Sequence, residues 1–264
     1  MRQRLIRAVC RLEQLEWAEQ RPSLLHRLDG RSKLLVTLVY LVAMLSVPLT
    51  RLSALLLFAL YPMLTAAVGG FRYRTILRRS AVAVPFAAFI GLFNLFHARE
   101  TLFHIGPVAV SVGWTTFLSI VLRGVLSVQA LLLLIYSTGY YRLCRSLQQL
   151  GVPEPFTTQL LFVHRYLCVL LRESIALSMA CEARSFGRRS YPLRTWSTLI
   201  CQLLLRTFDR AERIGRAMSA RGFTGRIPDL PNARTRWQPL DTGYLIGWST
   251  LLIALRFLSP EHFF

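Results

Sequence analysis

Lysine is almost missing from this chain. Of 32 basic residues only Lys33 is a lysine, so 31 are arginines, and they face 13 acids for a formal net charge of +19. A P-loop needs Gly-Lys-Ser/Thr behind a glycine-rich turn. Lys33 stands in Arg31-Ser32-Lys33-Leu34 with no such turn, which excludes nucleotide hydrolysis by that route. Cysteine is sparse and unpatterned: Cys10, Cys144, Cys168, Cys181 and Cys201 are odd in number and lack CxxC spacing, so neither a disulfide framework nor a zinc site follows. His26, His97, His104, His164 and His262 are scattered without HxxH or HExxH; metal ligation by this chain alone is not expected, and no cofactor is implied. No nucleophile motif such as G-x-S-x-G occurs, and no enzyme is expected. The N-terminus lacks a signal peptide's apolar core. Met1 to Gln20 reads as a charged helix with an apolar face at Leu5, Val9, Leu12 and Leu15, suited to a membrane surface or a partner.

What the chain has in abundance is apolar sequence, at 53% of residues, which places it in the membrane class. Its arginines lie between apolar blocks rather than in a basic stripe with interleaved aromatics. That pattern argues against nucleic acid and for the positive-inside rule. The turn Leu24 to Lys33 leads into a first apolar run, Leu34 to Leu49, which Asp29 or Ser32 could cap. This run is short for a bilayer, but Lys33 and Arg51 can snorkel at its ends. After Pro48-Leu49-Thr50-Arg51 a second run, Leu52 to Val68, completes a helical hairpin. Gly69 to Ser80, with Arg72, Arg74, Arg78 and Arg79 and no acid, reads as a cytoplasmic connection. Ala81 to Phe96 is a third span broken by Pro85, and His97 to Gly113 is a turn-rich outer loop. Val112 to Thr138 is long enough to span with tilt and carries Arg123 near its middle. An arginine there costs about 2.5 to 3.5 kcal/mol on insertion scales, so it should face a partner subunit, a carbonyl or a wet crevice.

From Gly139 to Pro239 sixteen arginines face six acids, and this block belongs in the cytoplasm. Gly151-Val152-Pro153-Glu154-Pro155 separates a helix near Tyr140 to Leu150 from one over about Phe156 to Arg184. A third runs from about Arg194 to Arg221, with Asp209/Arg213 and Glu212/Arg216 as i,i+4 pairs. Its apolar start, Leu199 to Leu205, fits a helix lying along the membrane floor. A linker with Pro228, Pro231 and Pro239 leads to a last span, Tyr244 to Leu258. The expected fold is all-α and polytopic, with about five transmembrane helices. It divides into 1–33 as an N-terminal amphipathic segment, 34–138 as four spans, 139–240 as cytoplasmic helices and 241–264 as the C-terminal span.

One phrase occurs twice in the basic block. Ala183-Arg184-Ser185-Phe186-Gly187-Arg188 and Ala220-Arg221-Gly222-Phe223-Thr224-Gly225-Arg226 each close a helical pattern at a small residue. Arg184 and Arg221 would stand at two helix tips, where a planar guanidinium can take carboxylates bidentately.

With these repeats in view, the chain resembles the transmembrane T component of energy-coupling factor (ECF) transporters, the EcfT/CbiQ family, over nearly its whole length. His26-Arg27-Leu28-Asp29-Gly30-Arg31-Ser32-Lys33 resembles the lead-in to the family's first span, and Leu122-Arg123-Gly124-Val125 its mid-span arginine. Leu150-Gly151-Val152-Pro153 is similar to its break before the coupling helices, and His164-Arg165-Tyr166 to the motif after it. The resemblance implies that Ala183, Arg184, Ser185 and Ala220, Arg221, Gly222 dock into grooves of two ABC-type ATPase subunits. It also implies that the membrane part, Arg123 included, couples to a substrate-binding S component in the bacterial inner membrane, with cobalt or a vitamin as cargo. Ser185 departs from the family's glycine, and Gly30 from a proline that would tighten the turn after Asp29. A membrane enzyme would need a polar catalytic cluster in its spans, and an unrelated membrane-anchored scaffold would leave the doubled tips unexplained.

Overall fold

The computed structural model describes residues 28–48, 52–97, 101–105, 108–185, 192–225 and 237–258. The expected N-terminal amphipathic helix, Arg51, the end of the first arginine repeat at Phe186 to Arg188, and Pro228 and Pro231 lie outside these residues. The chain is all-α apart from one short hairpin. It divides into two units, one comprising Arg21–Ser146 and Thr235–Phe264, the other containing Leu147–Arg234.

In the first unit, helix α1 (Gly30–Leu45) starts where the sequence places a cap: the Asp29 carboxylate accepts the Arg31 N–H at 3.3 Å. A Cβ on Gly30 would fall 2.2 Å from Ser146 Oγ and 3.0 Å from Thr138 Cγ2. Glycine lets the start of α1 approach its neighbours closely, and Asp29 caps without the proline that the resemblance called for. The expected second helix is split into α2 (Leu52–Phe58) and α3 (Leu60–Val68). Pro62 has no N–H for the Phe58 carbonyl one turn earlier, and Tyr40 of α1 supplies the missing donor, its hydroxyl lying 3.2 Å from that oxygen.

Proline breaks the next segment in the same way. Helix α4 (Tyr73–Ser80) and helix α5 (Ala83–His97) meet at a 48° bend, one turn before Pro85. Most of the expected basic connection is therefore helical, with Arg78 and Arg79 in its last turn and Arg79 over the Tyr136 ring at 5.3 Å. The expected outer loop contains two antiparallel strands, β1 (Thr101–Ile105) and β2 (Val108–Ser111), with Ile105 paired to Val108. Val108 and Val110 favour such pairing. Helix α6 (Val112–Thr138) follows, then α7 (Tyr140–Gln149), where burial pushes the Cys144 thiol up.

Helix α10 (Pro239–Leu258) begins before the expected Tyr244. Pro239 suits a first helical position, and the Asp241 carboxylate accepts the Gln238 N–H at 2.8 Å. Its other oxygen accepts the Asp29 N–H at 2.8 Å, pinning the start of the last helix to that of the first.

The core of this unit joins α1, α2, α3, α6 and α10 through Tyr40, Met44, Leu55, Phe58, Tyr61, Leu126 and Leu252. Tyr40 stacks on Tyr61 at 4.3 Å, and Trp248 meets Tyr61 edge-on at 4.9 Å. Helices α5 and α6 pack over small residues: a Cβ on Gly91 would lie 2.8 Å from Phe117, and one on Gly124 would lie 3.1 Å from Ala87. Ala87 and Gly91 stand four apart, the small-xxx-small spacing that brings membrane helices together. Among the described residues, Gly113–Thr138 is long and apolar enough to cross a membrane alone, and α4 with α5 passes the same test as a bent pair.

The second unit is an antiparallel pair of long helices, α8 (Glu154–Arg184) and α9 (Leu193–Ala220). Gly151, at φ +101°, ends α7 and turns the chain toward α8, with Val152 N–H bonded to Leu147 O at 3.1 Å. Glu173 joins the two helices, 2.7 Å from Arg206 and 3.6 Å from Arg210. Glu212 and Arg216 pair along α9 at 3.6 Å. The apolar residues Ile200, Leu204, Leu205 and Phe208 near the start of α9 are exposed within this unit.

Candidate functional site

Both arginines stand at helix ends. Arg184 is the last residue of α8 and Arg221 the first beyond α9, and both are exposed. The two ends are built differently. After Arg221, Gly222 takes φ +75°, its N–H reaching Ser219 O at 3.0 Å while the Phe223 N–H reaches Met218 O at 3.0 Å. This is a Schellman closure, whose left-handed residue favours glycine. Ser185 has φ −94° and needs no glycine; its N–H and hydroxyl both donate to Glu182 O, at 3.2 and 2.8 Å. The serine that departs from the family pattern thus suits the helix end that it makes.

The second tip is anchored. Phe223 folds back on α8 with its ring 6.4 Å from Phe162, and Gly225 O accepts the Thr158 hydroxyl at 3.5 Å. Arg221 therefore sits near the N-terminal part of α8, whereas Arg184 ends that helix. At 1.5 Å rise per residue, the stretch of α8 from Phe162 to Arg184 is about 33 Å long. Between the anchored end and the Glu173 bridge the helices leave an apolar cleft of about 430 Å³, lined by Phe162, Tyr166, Leu170, Ile214, Met218 and Phe223 among others. Tyr166 of the His164-Arg165-Tyr166 motif thus lines this cleft. Phe223 carried no role in the sequence reading, although its repeat within Ser-Phe-Gly and Gly-Phe-Thr marked it.

Arg123 belongs to the first unit and the repeats to the second. Of the environments expected for it, a carbonyl pair is present: its guanidinium donates to Leu45 O at 3.4 Å and to Val47 O. Lys33 departs from expectation. It is 3% exposed rather than snorkelling, and its Nζ donates to Ser137 O in the last turn of α6 at 2.9 Å, with the carboxylates of Asp29 and Asp241 nearby. The start of α1 is covered by α6, α7 and α10, which removes the path to the surface. Among the described residues, no group of three or more His, Cys, Asp or Glu side chains could hold a metal.

No curated protein matches the chain. Residues 21–231 match the family described as cobalt transport protein, CbiQ. The matched stretch takes in Lys33, Arg123, both arginine tips and the helix pair between them, and the chain belongs to the CbiQ family of cobalt transport proteins, which are membrane transport components.

Proposed function

We propose that this chain is the non-catalytic transmembrane coupling component of an ECF-type ABC importer in the bacterial inner membrane. It passes ATP-driven movement from two ATPase subunits to a membrane-embedded S component that carries the cargo, for which the family description points to cobalt. Arg184 and Arg221, each with its flanking alanine and small residue, dock the ATPases. With the N-terminus inside and α6 crossing the membrane, the α8–α9 pair lies in the cytoplasm. The observation that carries this reading is the disposition of the tips: two exposed arginines at opposite ends of one antiparallel helix pair. Tips so far apart suit two separate sockets rather than one. The arginine fork gives each tip a match for carboxylates that lysine lacks. Arg123 contributes to coupling through α1, whose end it holds.

Deleting one partner of a desolvated charge pair typically costs about 2 to 5 kcal/mol. Arg184→Ala or Arg221→Ala alone is expected to lower uptake while part of the ATPase association survives. The double substitution should abolish uptake and release the ATPases, and lysine at either position should rescue poorly. Co-purification of the ATPases set beside cargo uptake in proteoliposomes checks this. If both quantities are normal in the double variant, the arginines only complement helix dipoles, a contribution of about 0.3 to 1 kcal/mol each.

A further inference from the structure

Two cations tie α1 and α6 together by their ends. Lys33 near the start of α1 donates to Ser137 O at the end of α6, and Arg123 of α6 donates to Leu45 O and Val47 O at the end of α1. Fourteen residues separate Lys33 from Val47, and fourteen separate Arg123 from Ser137. The helices thus run antiparallel and in register over about 21 Å.

Their lengths differ. The 27 residues of α6 extend about 40 Å and cross a hydrocarbon layer of about 30 Å with some to spare. The 16 residues of α1 extend only about 24 Å. Because α1 starts level with the last turn of α6, it ends level with Arg123, eleven residues or about 16 Å short of the start of α6. With α6 centred in the membrane, that level lies about 10 Å beneath the outer edge of the hydrocarbon layer. A helix leaves its last carbonyls without intrahelical donors. Water satisfies them at a surface, but hydrocarbon does not. Arg123 supplies N–H donors to two carbonyls at this end.

We propose that α1 does not cross the membrane but stops inside the hydrocarbon layer, and that Arg123 is the positioning residue that caps it there. This rests on the membrane-crossing reading of α6 given under Proposed function. It assigns the mid-span arginine a task within its own chain and requires no contact with a second subunit.

Nitroxide labels in a cysteine-free chain, reconstituted in phosphatidylcholine vesicles, test this by their relative accessibility to oxygen and to a water-soluble nickel complex. Single cysteines replace Trp114 near the outer end of α6, Ile135 near its inner end, and Ser46 at the end of α1. All three side chains are exposed in the unit and can carry a label. The labels at 114 and 135 should read near opposite edges of the layer, with the label at 46 about 10 Å deeper than that at 114. Equal depths at 46 and 114 would overturn the inference while leaving the crossing of α6 intact. Labels at 114 and 135 that both read as aqueous would remove the membrane-crossing reading itself. In a second arm, Arg123→Met should shift the label at 46 toward water and Arg123→Lys should hold it partly. A folded Arg123→Met variant with label 46 unmoved would show that Arg123 does not position α1. If that variant does not fold, the depth of label 46 in the Arg123 chain still decides the proposal.

Discussion

Ser185 and Gly222 hold the same place in the two repeats, and the backbone treats them differently. Gly222 at φ +75° lies where any side chain is strained by about 1 kcal/mol or more, while Ser185 at φ −94° lies where any residue fits. Gly222→Ala should therefore loosen the end of α9 and speed exchange of the Phe223 amide about fivefold, since about 1 kcal/mol corresponds to that factor. Ser185→Gly should move the end of α8 by no more than about 0.5 kcal/mol. Amide hydrogen exchange resolved by residue checks both. That each arginine ends a helix was legible in the sequence, because small residues after a helical pattern are local signals. That Arg123 needs acceptors was legible too, from the cost of its depth. Which acceptors it takes was not, since Leu45 and Val47 lie 78 and 76 residues away. Lys33 was misread for the same reason: the groups that bury it come from α6, α7 and α10.

At the level of elements, the helices α1, α6, α7, α8 and α9 were legible to within a few residues because glycine and proline mark their ends. Two features were hidden. The arginines of Tyr73–Ser80 made a helix resemble a connection, and the split at Ala59 depends on Pro62 together with a Tyr40 hydroxyl that only the packed structure brings near. The contact of α5 with α6 was likewise invisible, because Gly91 sits in an apolar run with nothing local to distinguish it. Its role is spatial: any side chain there meets Phe117. Gly91→Leu should force the pair apart, at about 1 to 3 kcal/mol for overpacking. The expected outcome is a lower thermal midpoint in detergent, with Gly70→Ala as a comparison, because a Cβ on Gly70 meets nothing within 4 Å but still strains a φ of +67°. If Gly91→Leu melts no lower than Gly70→Ala, the close approach of α5 to α6 is not a stabilising feature.

For the molecule as a whole, cation chemistry and cation position divide cleanly. Arginine supplies the two exposed helix tips and the donors to the carbonyls at the end of α1, and the sole lysine is shut in where three helix ends meet. That solitary burial makes the protein its own unfolding gauge. A lysine-specific protease has one bond to cut, after Lys33, and cutting it requires the beginning of α1 to open. The folded protein should resist, whereas the unfolded chain should fall into two pieces, 1–33 and 34–264. Asp241→Ala removes the acceptor of the Asp29 and Gln238 N–H groups. Leaving the buried Asp29 N–H unmet costs about 1 to 3 kcal/mol, so cleavage should quicken about fivefold or more where opening is a rapid equilibrium. Cleavage of the unaltered protein at the denatured rate would contradict the burial of Lys33. A single digestion time course thus reads the free energy of one junction in a 264-residue chain without a label or a dye.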